Sequence, residues 1–198
     1  MEHMNLVLIH GAWSTSNTFN CLINAIESTE NLTIIKINYD CQKHSLSEII
    51  SRIKKELTSF KQPTIVVGHS LGGIIALSLE QEPSIKRIIT LASPISGLQY
   101  PKIAEAFLSF RAPIIKDITY DSKFMMNLRK KKFKKPIDIL VSTSGYNPMI
   151  LEKNDGVVTV SSQTYWIPST GKIKYVSANH HEILQTKEFI ETVKKHLG

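Results

Sequence analysis

The segment from Thr64 to Leu79 constrains the fold of this chain more than any other. Thr64-Ile65-Val66-Val67 runs into Gly68-His69-Ser70-Leu71-Gly72, and Leu71, Ile74, Ile75, Leu77 and Leu79 follow at helical spacing. A short run rich in β-branched residues reads as a buried strand. Passing from that strand into a helix within two or three residues demands a turn so tight that side chains beside the serine would collide, which accounts for Gly68 and Gly72. Gly73 would let the new helix pack close to a neighbouring strand. A strand that feeds directly into a helix belongs in a parallel sheet, because parallel neighbours need a crossover connection.

The rest of the chain repeats this rhythm. Further short apolar runs, Leu6–His10, Thr33–Ile37, Lys86–Leu91, Ile137–Ser142 and Lys172–Ser177, alternate with helical patterns. Ser45-Leu46-Ser47-Glu48 has the form of a capping box before Ile49, Ile50, Ile53 and Leu57. Pro63 stops that helix and Pro83 follows the one after Ser70. A last helix is expected over 182–197, with Ile183, Leu184, Ile190, Val193 and Leu197 mostly on one face. The pattern predicts an α/β fold: a three-layer α/β/α sandwich around a mainly parallel sheet of about six strands. With 198 residues it fits one domain spanning 1–198. The stretch 96–135 is too long for an ordinary connection and is expected to be a cap-like insertion, with helical patterns near 101–110 and 122–129.

Composition narrows the partners. The 42% hydrophobic and 21% charged content is that of an ordinary globular protein. No apolar run approaches the roughly 18 to 20 residues that span a bilayer. The first residues, Met1-Glu2-His3-Met4-Asn5, lack the basic stretch and apolar core of a signal peptide, so a cytoplasmic protein is expected. Cys21 and Cys41 have no metal-ligand or redox spacing and are read as reduced thiols. The net charge of +7 owes much to the run 129–135. That run reads as a solvated helix end, with weak contact to an anionic membrane as the functional alternative. No nucleic-acid-binding motif accompanies it, and nucleic acid is not expected as a partner.

The chemistry gathers around Ser70. A serine hydroxyl needs a base to take its proton and dipoles to stabilise the oxyanion that forms. His10-Gly11-Ala12-Trp13 follows the first strand, where a loop at the carboxyl edge can face the turn at Ser70. The backbone N–H groups of Ala12 and Leu71 are the expected oxyanion hole, with His10 structural and Trp13 either lining the pocket or covering the core. Asp155, in Asn154-Asp155-Gly156, stands in a polar loop beyond the fifth strand and is the expected acid. Asp138 lies at the wrong end of its strand, Asp117 and Asp121 sit in the insertion, and Asp40 is read as a turn residue. The base belongs after the last strand, where His180 and His181 both stand; spacing alone does not choose between them. The order Ser70, Asp155, then His180 or His181 is the chain order expected for this fold.

With these residues assembled, the chain resembles α/β-hydrolases of the small lipase and esterase type over nearly its whole length. The resemblance rests on HGAW (10–13), GHSLGG (68–73), NDGVVTVSSQ (154–163) and NHHEIL (179–184). Thr90–Gly97 is similar to the lipase segment with a Ser-Pro pair before a glycine, and Asp121–Phe124 to their Ser-x-Phe segment. Similar lipases place apolar residues three and four positions after the catalytic histidine, which selects His180; relatives resembling monoacylglycerol lipases carry His-Glu-Ile-Leu, which would select His181. We take His180. The resemblance implies a serine esterase working through an acyl-enzyme on Ser70 with Asp155 and His180, on a small-molecule ester. Neither metal nor organic cofactor is expected. Thioester hydrolysis, acyl transfer or plain ligand binding on the same fold are the alternatives.

Overall fold

The computed structural model describes residues 2–99 and 113–197. Six strands form one all-parallel sheet: β1 (Met4–Ile9), β2 (Leu32–Ile37), β3 (Thr64–His69), β4 (Ile85–Leu91), β5 (Ile137–Ser142) and β6 (Gly171–Val176). Their order across the sheet is β2-β1-β3-β4-β5-β6. Every expected strand is present, with ends within two residues of those read from the apolar runs.

Successive residues of a strand face opposite sides of a sheet, and here each side has its own core. Leu6, Leu8, Ile65, Val67 and Leu140 pack with Leu22 and Ile26 of α1 (Asn20–Ile26) and Phe189 and Val193 of α6 (Lys187–Leu197). Val7, Ile9, Val66, Ile88 and Ile139 pack with Ile49 and Ile53 of α2 (Leu46–Leu57) and Ile74 of α3 (Leu71–Ser78). These side chains are almost wholly buried, each worth about 1.5–3 kcal/mol relative to exposure. The result is the expected three-layer sandwich.

Local signals set the helix ends. The Ser45 capping box is complete: Glu48 N–H donates to Ser45 Oγ at 3.3 Å, and Ser45 N–H donates to Glu48 Oε2 at 2.8 Å. The expected helix over 182–197 is instead two pieces. A single 3-10 turn, Glu182–Gln185, ends at Thr186, which is extended (φ −73, ψ 147) before α6 begins. Thr186 Oγ1 donates to Ile183 O and accepts from Phe189 N–H, so the residue ends one element and caps the next. The apolar positions on both sides are buried, which is why their periodicity ran through the break. α1 and the five-residue α5 (Val160–Thr164) were not foreseen.

The described parts of the segment read as an insertion, 96–99 and 113–135, contribute to the core. The segment's helical pattern near 101–110 lies outside the described residues. The flanking parts are tied together where Leu98 N–H donates to Ile118 O and Tyr120 N–H to Leu98 O, at 2.8 and 2.9 Å. α4 (Lys123–Lys130) is capped by Ser122, and Ile114, Ile118, Met125 and Leu128 are buried against the sheet's α2–α3 face. The basic run does contain a helix end, at Lys130, but parts of it are held by specific contacts. Arg129 donates to Ser96 O and Tyr120 O and lies over the Tyr120 ring. The backbone N–H groups of Lys134 and Lys135 both donate to buried Glu80. Among the described residues no helix is long and apolar enough to cross a membrane.

Candidate active site

The sheet order places the chemistry. From β1 the chain goes outward to β2 and then returns to form β3 on β1's other side, so the loops after β1 and β3 diverge at the carboxyl edge and leave a crevice. Ser70 stands there with φ 53 and ψ −121, a conformation that costs a non-glycine residue on the order of 1–3 kcal/mol. Its N–H is anchored to Leu91 O at 2.8 Å. A Cβ on Gly68 would lie 2.3 Å from Gly72 O, and one on Gly72 would lie 2.1 Å from Ile9 O. The turn therefore closes only with glycine at both positions. A Cβ on Gly73 would meet Ser93 Oγ at 2.0 Å, so α3 does lie close against the end of β4.

The loop after β1 is braced from below. Tyr39, just beyond β2, donates its hydroxyl to His10 O at 2.7 Å and stacks its ring on the His10 ring at 4.3 Å. Tyr39 N–H donates to His10 Nε2, which leaves Nδ1 to donate to Gly11 O at 2.7 Å. Burial holds the His10 imidazole below its ordinary pKa, in keeping with this neutral, structural role. Trp13 follows with φ 54 and is half exposed. Among the described residues the N–H groups of Ala12 and Leu71 have no protein acceptor. Ala12, Trp13, Ser70, Leu71, Leu98 and Ile118 line one cleft, so Trp13 faces the pocket rather than the core.

Asp155 and His180 meet as the sequence suggested. His180 Nδ1 lies 2.8 Å from Asp155 Oδ2, with both side chains buried. The second oxygen, Oδ1, accepts the N–H groups of Val157 and Val158 at 3.0 and 2.7 Å. His180 N–H donates to Asp155 O at 2.9 Å, which joins the two loops through their backbones as well. Burial pushes the Asp155 carboxyl up, but the hydrogen bond and charge of His180, with the donors from Ser142 and Val158, outweigh it and hold the group below the ordinary aspartate value. Because an ionised carboxylate only accepts, Nδ1 carries the hydrogen, and in the neutral imidazole Nε2 has the free lone pair.

His181 is exposed, meets the His180 ring edge-on at 5.3 Å, and has no carboxylate partner among the described residues. Burial, then the neighbouring His180 charge, lowers its pKa. Two of the other aspartates are engaged elsewhere. Asp138 pairs with Arg87 and His196, and Asp40 accepts from Gln42 N–H in a turn. The Ser70 side chain makes no hydrogen bond among the described residues, a common state before substrate draws such groups together. Val157 lines both the Ser70 cleft and the hollow beside His180, so the two sides of the site share a wall.

Two features escaped sequence reading. His69 is fully buried and donates Nε2–H to His180 O at 2.8 Å. Burial, followed by the His180 charge, lowers its pKa to about 3, so the ring is neutral. The other is a pair behind Asp155, Ser142 and Gln163. Gln163 lies in the motif 154–163, and its burial on a short helix was the missing signal. No group of three or more His, Cys, Asp or Glu side chains among the described residues is arranged to hold a metal ion.

An all-parallel six-stranded sheet with a strained serine turn at its carboxyl edge is the fold of the α/β-hydrolase superfamily. Solved structures agree on the fold. The monoacylglycerol lipase of Paleococcus ferrophilus is 15% identical, with a TM-score of 0.70 over 98% of this chain and 93% of its own. A hydrolase from Oleispira antarctica is 14% identical, with a TM-score of 0.69 over 100% and 91%. The esterase of Exiguobacterium antarcticum is 15% identical, with a TM-score of 0.65 over 100% and 93%. Within that superfamily the chain belongs to the family of PGAP1-like alpha/beta domains, which it matches over residues 12–198. No curated protein matches it significantly.

Proposed function

We propose that this protein is a serine hydrolase that cleaves carboxylic esters through an acyl-enzyme on Ser70. The observation that carries the reading is the buried Asp155–His180 pair at 2.8 Å, tied through His180 O to His69, the neighbour of a serine held at positive φ. His180 Nε2 takes the Ser70 proton as Oγ attacks the ester carbonyl, and Asp155 holds the tautomer and stabilises the imidazolium. The N–H groups of Ala12 and Leu71 receive the developing oxyanion. His180 then gives its proton to the departing alcohol, and a water molecule, activated in the same way, releases the acid and restores Ser70.

The apolar wall of the Ser70 cleft, which includes Leu98, Ile115 and Ile118, suits an acyl group. A monoacylglycerol lipase and an esterase share the fold, in line with an ester as the substrate. The test is labelling with a fluorophosphonate probe and turnover of short p-nitrophenyl esters by wild type and Ser70→Ala. The wild type is expected to label and turn over, and the variant to do neither. Labelling that survives Ser70→Ala would overturn the mechanism.

A further inference from the structure

Asp155 is the hub of a buried network that reaches beyond the residues proposed to do the chemistry. Ser142, the last residue of β5, donates its hydroxyl to Asp155 Oδ2, the oxygen that also accepts from His180. Ser142 is itself gripped by Gln163 of α5: its N–H donates to Gln163 Oε1 at 3.0 Å, and Gln163 Nε2 donates to its carbonyl at 3.0 Å. These two bonds fix which way the amide points, because a flipped amide would set donor against donor and acceptor against acceptor. Ser142, Gln163 and Asp155 are all essentially inaccessible to solvent.

The carboxylate thus receives four donors, two on each oxygen. Its Oδ1 donors come from the loop that carries it, whereas the Ser142 donor comes from the sheet. We propose that Ser142 and Gln163 are positioning residues that register the Asp155 loop to the sheet and so aim Oδ2 at His180. The proposal rests on the reading of Asp155 as the group that orients His180. It predicts that disturbing the Gln163 clamp will be felt in the pH dependence of turnover, although the Gln163 side chain bonds to Ser142 and is not among the residues lining the Ser70 cleft.

Gln163→Glu is the sharpest probe. When protonated, the introduced carboxyl is a near-isostere of the amide and can still donate to Ser142 O. When ionised, it loses that donor and sets a negative charge near Asp155. The variant is expected to keep near-wild-type kcat at low pH and to lose about tenfold or more as pH rises, with KM little changed, while the wild type loses nothing over that range. Ser142→Ala is expected to lower kcat about tenfold or more without moving KM. Both are assayed on a short p-nitrophenyl ester from pH 5 to 9, with circular dichroism at each pH to confirm the fold. If Ser142→Ala does not fold, the profile of Gln163→Glu decides. A wild-type profile for Gln163→Glu would overturn the clamp. Asp155→Asn separates the two ideas: if it is inactive while both other variants behave as wild type, only the clamp fails. If it too is fully active, the reading of Asp155 fails.

Discussion

Replacing Asp155 by asparagine tests the proposed mechanism at its least exposed point. The amide oxygen can take the place of Oδ1 and keep the N–H groups of Val157 and Val158, now 3.0 and 2.7 Å from the carboxylate. The amide NH2 then occupies the place of Oδ2, where it faces the Ser142 hydroxyl and His180 Nδ1. Ser142 can rotate its hydrogen away and accept. His180 can accept only by moving its own hydrogen to Nε2, and a protonated Nε2 cannot take the Ser70 proton. All four charge-assisted bonds to the carboxylate become neutral ones, a change of roughly 4 kcal/mol in total, within the roughly 5–15 kcal/mol by which a domain is stable. Turnover has no such reserve: the wrong tautomer costs about four powers of ten, or about 5 kcal/mol of barrier. The structure also gives a signature in acid. Asp155 is held below its unfolded value of 3.8, so its contribution to stability is complete above about pH 4 and is lost as pH falls through the folded pKa. The thermal stabilities of wild type and Asp155→Asn should therefore differ at pH 7 and converge in acid. The assay is kcat on a p-nitrophenyl ester, paired with Tm between pH 3 and 7. A folded variant that retained kcat within tenfold of wild type would refute the role given to Asp155.

The two adjacent histidines should separate cleanly: His180→Ala is expected to lose about three to four powers of ten in kcat, and His181→Ala less than tenfold, measured by ester turnover and probe labelling. The reverse ranking would move the base to His181. Gly72→Ala sets a Cβ 2.1 Å from Ile9 O, and should cost roughly 3 kcal/mol or more, read as a lower denaturant midpoint or as insoluble protein. Tyr39→Phe removes the bond to His10 O and should cost about 1–3 kcal/mol of stability. It should also lower kcat more than it raises KM, because the His10–Trp13 loop loses its brace; unchanged kcat would mean that the stack of Tyr39 on His10 holds the loop unaided.

What the chain disclosed in its sequence, and what it kept back, follows from the range of the interactions concerned. The inner strands β1, β3, β4 and β5 were legible because each is a short apolar run that the sheet largely buries, and the turn at Ser70 because only glycine can stand at 68 and 72. Asp155 and His180 were legible as positions on loops, since chain order and the carboxyl edge of a parallel sheet leave few other candidates. Their contact was not, because it spans 25 residues and depends on how two loops dock. The end of the last helix was misread for a related reason. Ile183 and Leu184 are as buried as Phe189 and Val193, so hydrophobic spacing sees one face where Thr186 has cut the backbone in two. Ser142 and Gln163 show the limit most sharply. A serine at a strand's end and a glutamine in a short helix carry no local signature, and only burial beside a carboxylate makes them part of the site. The groups that touch substrate sit in turns with strict steric and chemical demands, so they leave marks in the sequence. The groups that aim them need only complementary hydrogen bonding at the right distance, a demand that becomes visible once the sheet is assembled.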